Sequence, residues 1–126
     1  MKFQTLMIIK AVVCLCLGVP ILLVPVFTYS LLGASLNPAG IFVAREYGAS
    51  LIGNLMLTWF ARKAVESEAR RAIILGLCIY DAIGFIVTLM AQLTGVLGPL
   101  GWCAAVIYLF FAIGFGYFLL LHKKMA

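Results

Sequence analysis

The sequence predicts an all-α integral membrane protein, an antiparallel bundle of four transmembrane helices with both the N and C termini cytoplasmic. Three observations carry that expectation. Lys and Arg cluster at Lys2 and Lys10, at Arg62, Lys63, Arg70 and Arg71, and at Lys123 and Lys124. Between the clusters lie apolar stretches long enough to supply the roughly 20 residues that a bilayer core requires. The two connections of the opposite face, Leu32 to Gly40 and Thr94 to Gly101, hold no charged residue. Positive residues are retained on the cytoplasmic side, so the basic segments face inward and the uncharged ones outward.

Composition points the same way. The 126 residues are 66% hydrophobic and 10% charged, with a mean hydropathy of +1.21, too apolar for a soluble domain that must cover itself with polar groups. The length fits a single membrane domain over residues 1–126. The formal charge of +5 sits almost entirely at segment ends on one face. Translocation bias and anionic lipid account for it there, so the lipid bilayer is the expected partner and nucleic acid is not.

The first span is expected at about 5–26, with Pro20 and Pro25 bending its outer half, because each lacks an amide donor and crowds the carbonyl one turn back. The same region has features of a signal peptide, with Lys2 and Lys10 as the positive end and Gly33, Ala34 and Ser35 as a small-residue cleavage site. The apolar run after Lys10 is longer than the usual 7 to 15 residues, which favours a span. Asn37, Pro38 and Gly40 make a turn. The second span, about 41–61, carries Arg45 and Glu46 near its outer end and Asn54 near mid-depth. The connection from Arg62 to Arg71 has no Gly or Pro, and a tight turn is expected around Ser67. The third span, about 72–93, contains Asp81, roughly 15 Å along the helix from Arg71 and therefore near the bilayer centre. The fourth, about 100–121, ends in His122, Lys123 and Lys124, and Trp59 and Trp102 fall near opposite interfaces.

Gly101, Ala105, Ala112 and Gly116 recur at spacings of four and seven and form a candidate helix-packing face on the last span. Small residues of this kind let another backbone approach closely, either inside the bundle, in a homo-oligomer or in another membrane protein. The ionisable residues are the candidate polar site. A charge at mid-membrane costs at least about 2.5 to 3.5 kcal/mol on insertion scales, which makes an intramembrane Asp a functional candidate. Asp81 shares a stripe with Thr88 and Gln92, while Glu46, Ser50, Gly53, Asn54 and Leu57 share a face of the second span. The two stripes are expected to oppose each other across the bundle. Lys10 either reaches Asp81 or snorkels to the headgroups, leaving Asp81 protonated.

Catalytic and cofactor chemistry finds little support. Cys14, Cys16, Cys78 and Cys103 form no C-x-x-C pair, and Cys14 and Cys16 point about 200° apart on a helix. The single histidine, His122, excludes bis-histidine haem, and neither a metal set nor a nucleophile-histidine set can be assembled. No cofactor is expected and no enzymatic activity is read.

Arg45, Gly48, Ala49 and Gly53, opening the second span, resemble the corresponding stretch of small four-transmembrane DoxX/Erg28-like membrane proteins over about Arg45 to Arg62. The resemblance implies a scaffold and assigns no catalytic residue. Small multidrug transporters differ, because they place an essential Glu in the first span. The expected function is a small integral-membrane accessory or scaffold protein, an accessory subunit that packs against another membrane protein or its own copy. The alternative is a small transporter or a lipid- or solute-binding carrier using Asp81, with Arg45, Glu46 and Asn54 lining the approach. A membrane enzyme acting on a lipid or quinone ranks third. Short loops lean toward a bacterial inner membrane.

Overall fold

A computed structural model describes residues 2–125, with side chains through Leu121. The side chains of His122, Lys123 and Lys124, which belong to the last basic cluster, lie outside the described residues. Five helices and no strand occur among the described residues: α1 (Phe3–Leu23), α2 (Pro25–Leu31), α3 (Pro38–Ala61), α4 (Glu68–Leu93) and α5 (Gly101–Met125). Three of them, α1, α4 and α5, are long and apolar enough to cross a membrane, as in a multi-pass membrane protein. Helix α3 has the length, 24 residues, but Arg45, Glu46 and Asn54 lower its apolar character.

The expected first helix, about 5–26, is two helices. Pro20 is accommodated within α1, whereas Val24 leaves the helical region at φ −134°, ψ 62°. Pro25 has no N–H to offer the carbonyl of Ile21, and its fixed φ suits the first position of a new helix. The chain restarts there, with Thr28 N and Thr28 Oγ1 both donating to the Val24 carbonyl at 3.0 and 2.9 Å. The proline pair therefore yields a break rather than a bend. Helix α3 starts where Asn37 accepts a hydrogen bond from Gly40 N at 2.7 Å, with Pro38 in the first turn. Helix α4 starts at a Ser67 cap on Arg70 N at 3.2 Å, with Glu68 in the favourable first turn. It begins four residues before the expected 72, because this cap lets the helix run out past the apolar segment.

Helix α1 lies along α3, and α4 lies along α5, while α3 and α4 make no comparable backbone contact. Gly48 makes the first pairing possible, since a Cβ there would sit 2.9 Å from Leu22 N. Two apolar clusters result. Phe3, Leu6 and Met7 of α1 meet Ile74 and Leu77 of α4 and Phe111, Phe115 and Phe118 of α5. Cys14 and Ile21 of α1 meet Ala44 and Leu51 of α3.

The ends of the molecule differ in charge. Phe3 stands edge-on to Phe118 at 5.6 Å and lies 4.1 Å beneath the Arg70 guanidinium. The start of α1, the α3–α4 connection and the end of α5 thus share one basic end. At the other end the two uncharged connections touch, Gly98 N donating to the Leu32 carbonyl at 2.6 Å. Gly33 is required at this contact twice over: its φ is +82°, and a Cβ would lie 2.7 Å from Gly98 N.

Candidate functional site

Lys10 and Asp81 meet. Lys10 Nζ donates to Asp81 Oδ1 at 2.6 Å, joining α1 to α4, and the residues are 3% and 0% exposed. Asp81 is the fourteenth residue of α4, on the order of 20 Å from its start at 1.5 Å per residue, so Asp81 sits near the middle of that helix. The ammonium also lies 4.7 Å from the Phe111 ring centroid and 5.3 Å from that of Tyr80. Aromatic faces on two sides partly replace the hydration that the cation gives up. Asp81 Oδ2 is buried with no hydrogen-bond partner among the described residues. An ionised carboxylate offers about four lone-pair sites, so this oxygen is under-satisfied.

Tyrosines extend the polar region outward from the pair. The hydroxyls of Tyr47 on α3 and Tyr108 on α5 are hydrogen-bonded to each other. Tyr80 and Tyr108 place their ring centroids 6.5 Å apart, and the Tyr80 hydroxyl lies 3.5 Å from Ser50 Oγ. Gly84 is what admits Tyr108, because any Cβ at that position would overlap its ring. All four long helices therefore contribute to one centre: Lys10, Tyr47 with Ser50, Tyr80 with Asp81, and Tyr108. In a low-dielectric interior these hydroxyls and charges interact more strongly than they would in water.

The other residues singled out in the sequence lie apart from this centre. Asn54 donates to the Ser50 carbonyl of its own helix at 3.0 Å rather than across the bundle. Arg45 and Glu46 are exposed and join no ion pair among the described residues. Gly53 faces open space, since a Cβ there would meet nothing within 4 Å. The expected opposition of the two stripes is therefore not found among the described residues: Ser50 meets Tyr80, which lies outside the Asp81 stripe, and Gln92 turns away to donate to the Gly98 carbonyl at 3.0 Å.

The small-residue face of the last span is turned inward. Ala105 is 2% exposed, Cys78 Sγ of α4 donates to the Ala112 carbonyl at 3.6 Å, and a Cβ on Gly116 would lie 3.7 Å from Cys78 Sγ. A Cβ on Gly101 would run into Gln92 and Leu97. Gly101, Ala105, Ala112 and Gly116 are therefore occupied by the protein's own packing and do not form a free surface.

Tyr47 escaped the sequence reading. Its signal was the general one: a tyrosine hydroxyl inside an apolar span needs a partner, and Tyr108 is 61 residues away. No group of three or more His, Cys, Asp or Glu side chains suited to a metal ion occurs among the described residues. Comparison with protein-family models, with curated proteins and with solved structures finds no match.

Proposed function

We propose that the chain is a four-span membrane carrier, with α3 as the additional span and both termini in the cytoplasm of a bacterial cell, that binds a small solute or lipid next to Asp81. The observation that carries the reading is the carboxylate of Asp81: one oxygen held by Lys10, the other buried and under-satisfied. Leaving a charged acceptor without a donor costs about 1–3 kcal/mol or more. A donor group on a bound molecule, or a proton, removes that cost, so Asp81 distinguishes occupied from empty states. Tyr47, Tyr80, Tyr108 and Ser50 supply amphipathic walls for such a ligand. Since α3 and α4 lack close backbone contact, their seam is the natural route of lateral entry. The reading assigns no reaction to the protein and requires no cofactor.

A second reading, an accessory or scaffold subunit of the inner membrane, is favoured by a different observation. Glu46, Ala49 and Gly53 share an exposed face of α3, and small outward residues allow a foreign helix or a second copy to approach. Native mass spectrometry of the complex gently extracted from its source membrane separates the two. The carrier reading expects a retained small molecule that Asp81→Asn loses while its helical circular dichroism is unchanged. A stoichiometric foreign protein, held equally by the Asp81→Asn chain, would instead establish the accessory subunit.

A further inference from the structure

Where α1 breaks at Val24, the chain leaves a groove of about 440 Å³ between the break, α2 and the outer part of α3. That volume falls in the range of about 300–1,000 Å³ usual for small-ligand sites. Its walls are apolar, including Leu23, Pro25, Phe27 and Ile41, and its polar groups are Ser30 and the guanidinium-bearing Arg45. We propose that this groove is a binding site for a phospholipid with an anionic, hydroxyl-bearing headgroup, whose phosphate is gripped by Arg45.

The chemistry of each wall selects that occupant. Arg62 donates to the Trp59 carbonyl at 2.6 Å and Arg70 lies 3.7 Å from Glu66, whereas Arg71, exposed like Arg45, does not line the groove. Arg45 has neither a carboxylate nor a carbonyl partner among the described residues, although it lines a largely apolar groove. Its planar fork matches phosphate oxygens in a bidentate way that an ammonium does not. Ser30 gives its own proton to the Phe27 carbonyl at 2.6 Å, so toward the groove it acts only as an acceptor, which suits a headgroup hydroxyl. Leu23 and Phe27 are 66% and 62% exposed and continue the apolar wall beyond the groove. A free anion would leave that surface unused, whereas acyl chains cover it. Glu46, the neighbour of Arg45, does not line the groove. The inference rests on the four-span reading, which places this end of the bundle at the outer headgroup layer.

The test is a native mass-spectrometric titration of the full-length protein in detergent with phosphatidylglycerol and, separately, phosphatidylcholine. We expect one tightly held phosphatidylglycerol, preferred over phosphatidylcholine. Arg45→Gln should weaken it about tenfold, the loss of one charge-assisted contact, and Arg45→Lys should restore part of the affinity. Ile41→Trp, which fills the groove and leaves Arg45 in place, should weaken it as well. Lys63→Gln at the opposite end serves as the control for diffuse attraction. Equal binding by the Arg45→Gln protein overturns the proposal, and so does an equal loss with Lys63→Gln. Displacement by inorganic phosphate alone would show a free-anion site and overturn it too. Asp81→Asn should keep this lipid, so a failure here and a failure of the Asp81 reading are distinguishable.

Discussion

Replacing Lys10 with Met should produce a protein whose stability depends steeply on pH. The substitution keeps the volume and length of the side chain but removes the cation from an ion pair in which Asp81 is 0% exposed. Stranding one member of a buried pair costs about 3–5 kcal/mol. An independent route gives a similar size. Asp81 can shed its charge by binding a proton, and from an ordinary carboxylate pKa of about 3.9 this costs roughly 4 kcal/mol at pH 7, at 1.36 kcal/mol per unit. In the folded Lys10→Met protein Asp81 then carries a proton that the unfolded chain lacks. Stability must fall as pH rises, by about 1.4 kcal/mol per unit between pH 5 and 7. The wild-type pair, with both charges matched, should vary much less over that window. The assay is reversible unfolding in mixed micelles, followed by helical circular dichroism at several pH values. Replacing both members, Lys10→Met with Asp81→Leu, should recover most of the loss, because no unpaired charge remains. A Lys10→Met protein within about 0.5 kcal/mol of wild type and flat with pH, against the roughly 4 kcal/mol expected from protonation, would refute the argument that the pair is closed and charged.

Four further outcomes follow from glycine and tyrosine geometry. Gly33→Ala should lower the unfolding midpoint more than Gly95→Ala, since both have positive φ but only Gly33 faces another backbone, Gly98, at 2.7 Å; the shared conformational part is about 1–2 kcal/mol. Gly48→Ala should push α1 from α3, visible as a lengthened spin-label distance between the helices, because its Cβ would stand 2.9 Å from Leu22 N. Gly53→Ala, in open space, should instead be neutral or stabilising by roughly 0.5–1 kcal/mol on the same unfolding assay. Tyr108→Phe removes the hydrogen bond to Tyr47 and should cost about 0.5–1.5 kcal/mol, with Tyr47→Phe/Tyr108→Phe losing no more than the single change.

Much of the architecture is legible because the bilayer imposes simple rules. The uncharged connection between α4 and α5 lies where expected, whereas at the basic end α4 starts four residues before 72 and α5 runs four residues past 121, because charged residues bound the apolar segment and not the helix. Asn37 and Ser67, read as turn residues, instead cap the starts of α3 and α4 through local hydrogen bonds, so that Pro38 to Gly40 are already helical. Lys10 and Asp81 are readable as a candidate pair, since each is an expensive charge within reach of the same depth. Pairings between uncharged side chains are less legible. Nothing in the spacing around Tyr47 points to Tyr108, and the inward turn of the Gly101 to Gly116 stripe depends on which neighbour reaches it first, here α4 through Cys78. The break at Val24 is hard to foresee for a related reason. Two prolines five apart can bend or break a helix; here Pro25 deprives the Ile21 carbonyl of its helical donor, and the chain restarts with Thr28 bonded twice to the Val24 carbonyl.

The pairing of α1 with α3 and of α4 with α5 has a consequence for biogenesis. On the proposed four-span reading each pair joins membrane segments that are successive in the chain, so each hairpin could consolidate as soon as its own second helix leaves the translocation machinery, without waiting for distant sequence. Lys10, eight residues into α1, lies close enough to the basic end to extend its ammonium to the headgroups during that interval. Asp81 arrives only with the second hairpin, 71 residues later. On that reading the ion pair is a bond between the two hairpins, and it closes only when both have inserted with matching orientation and depth.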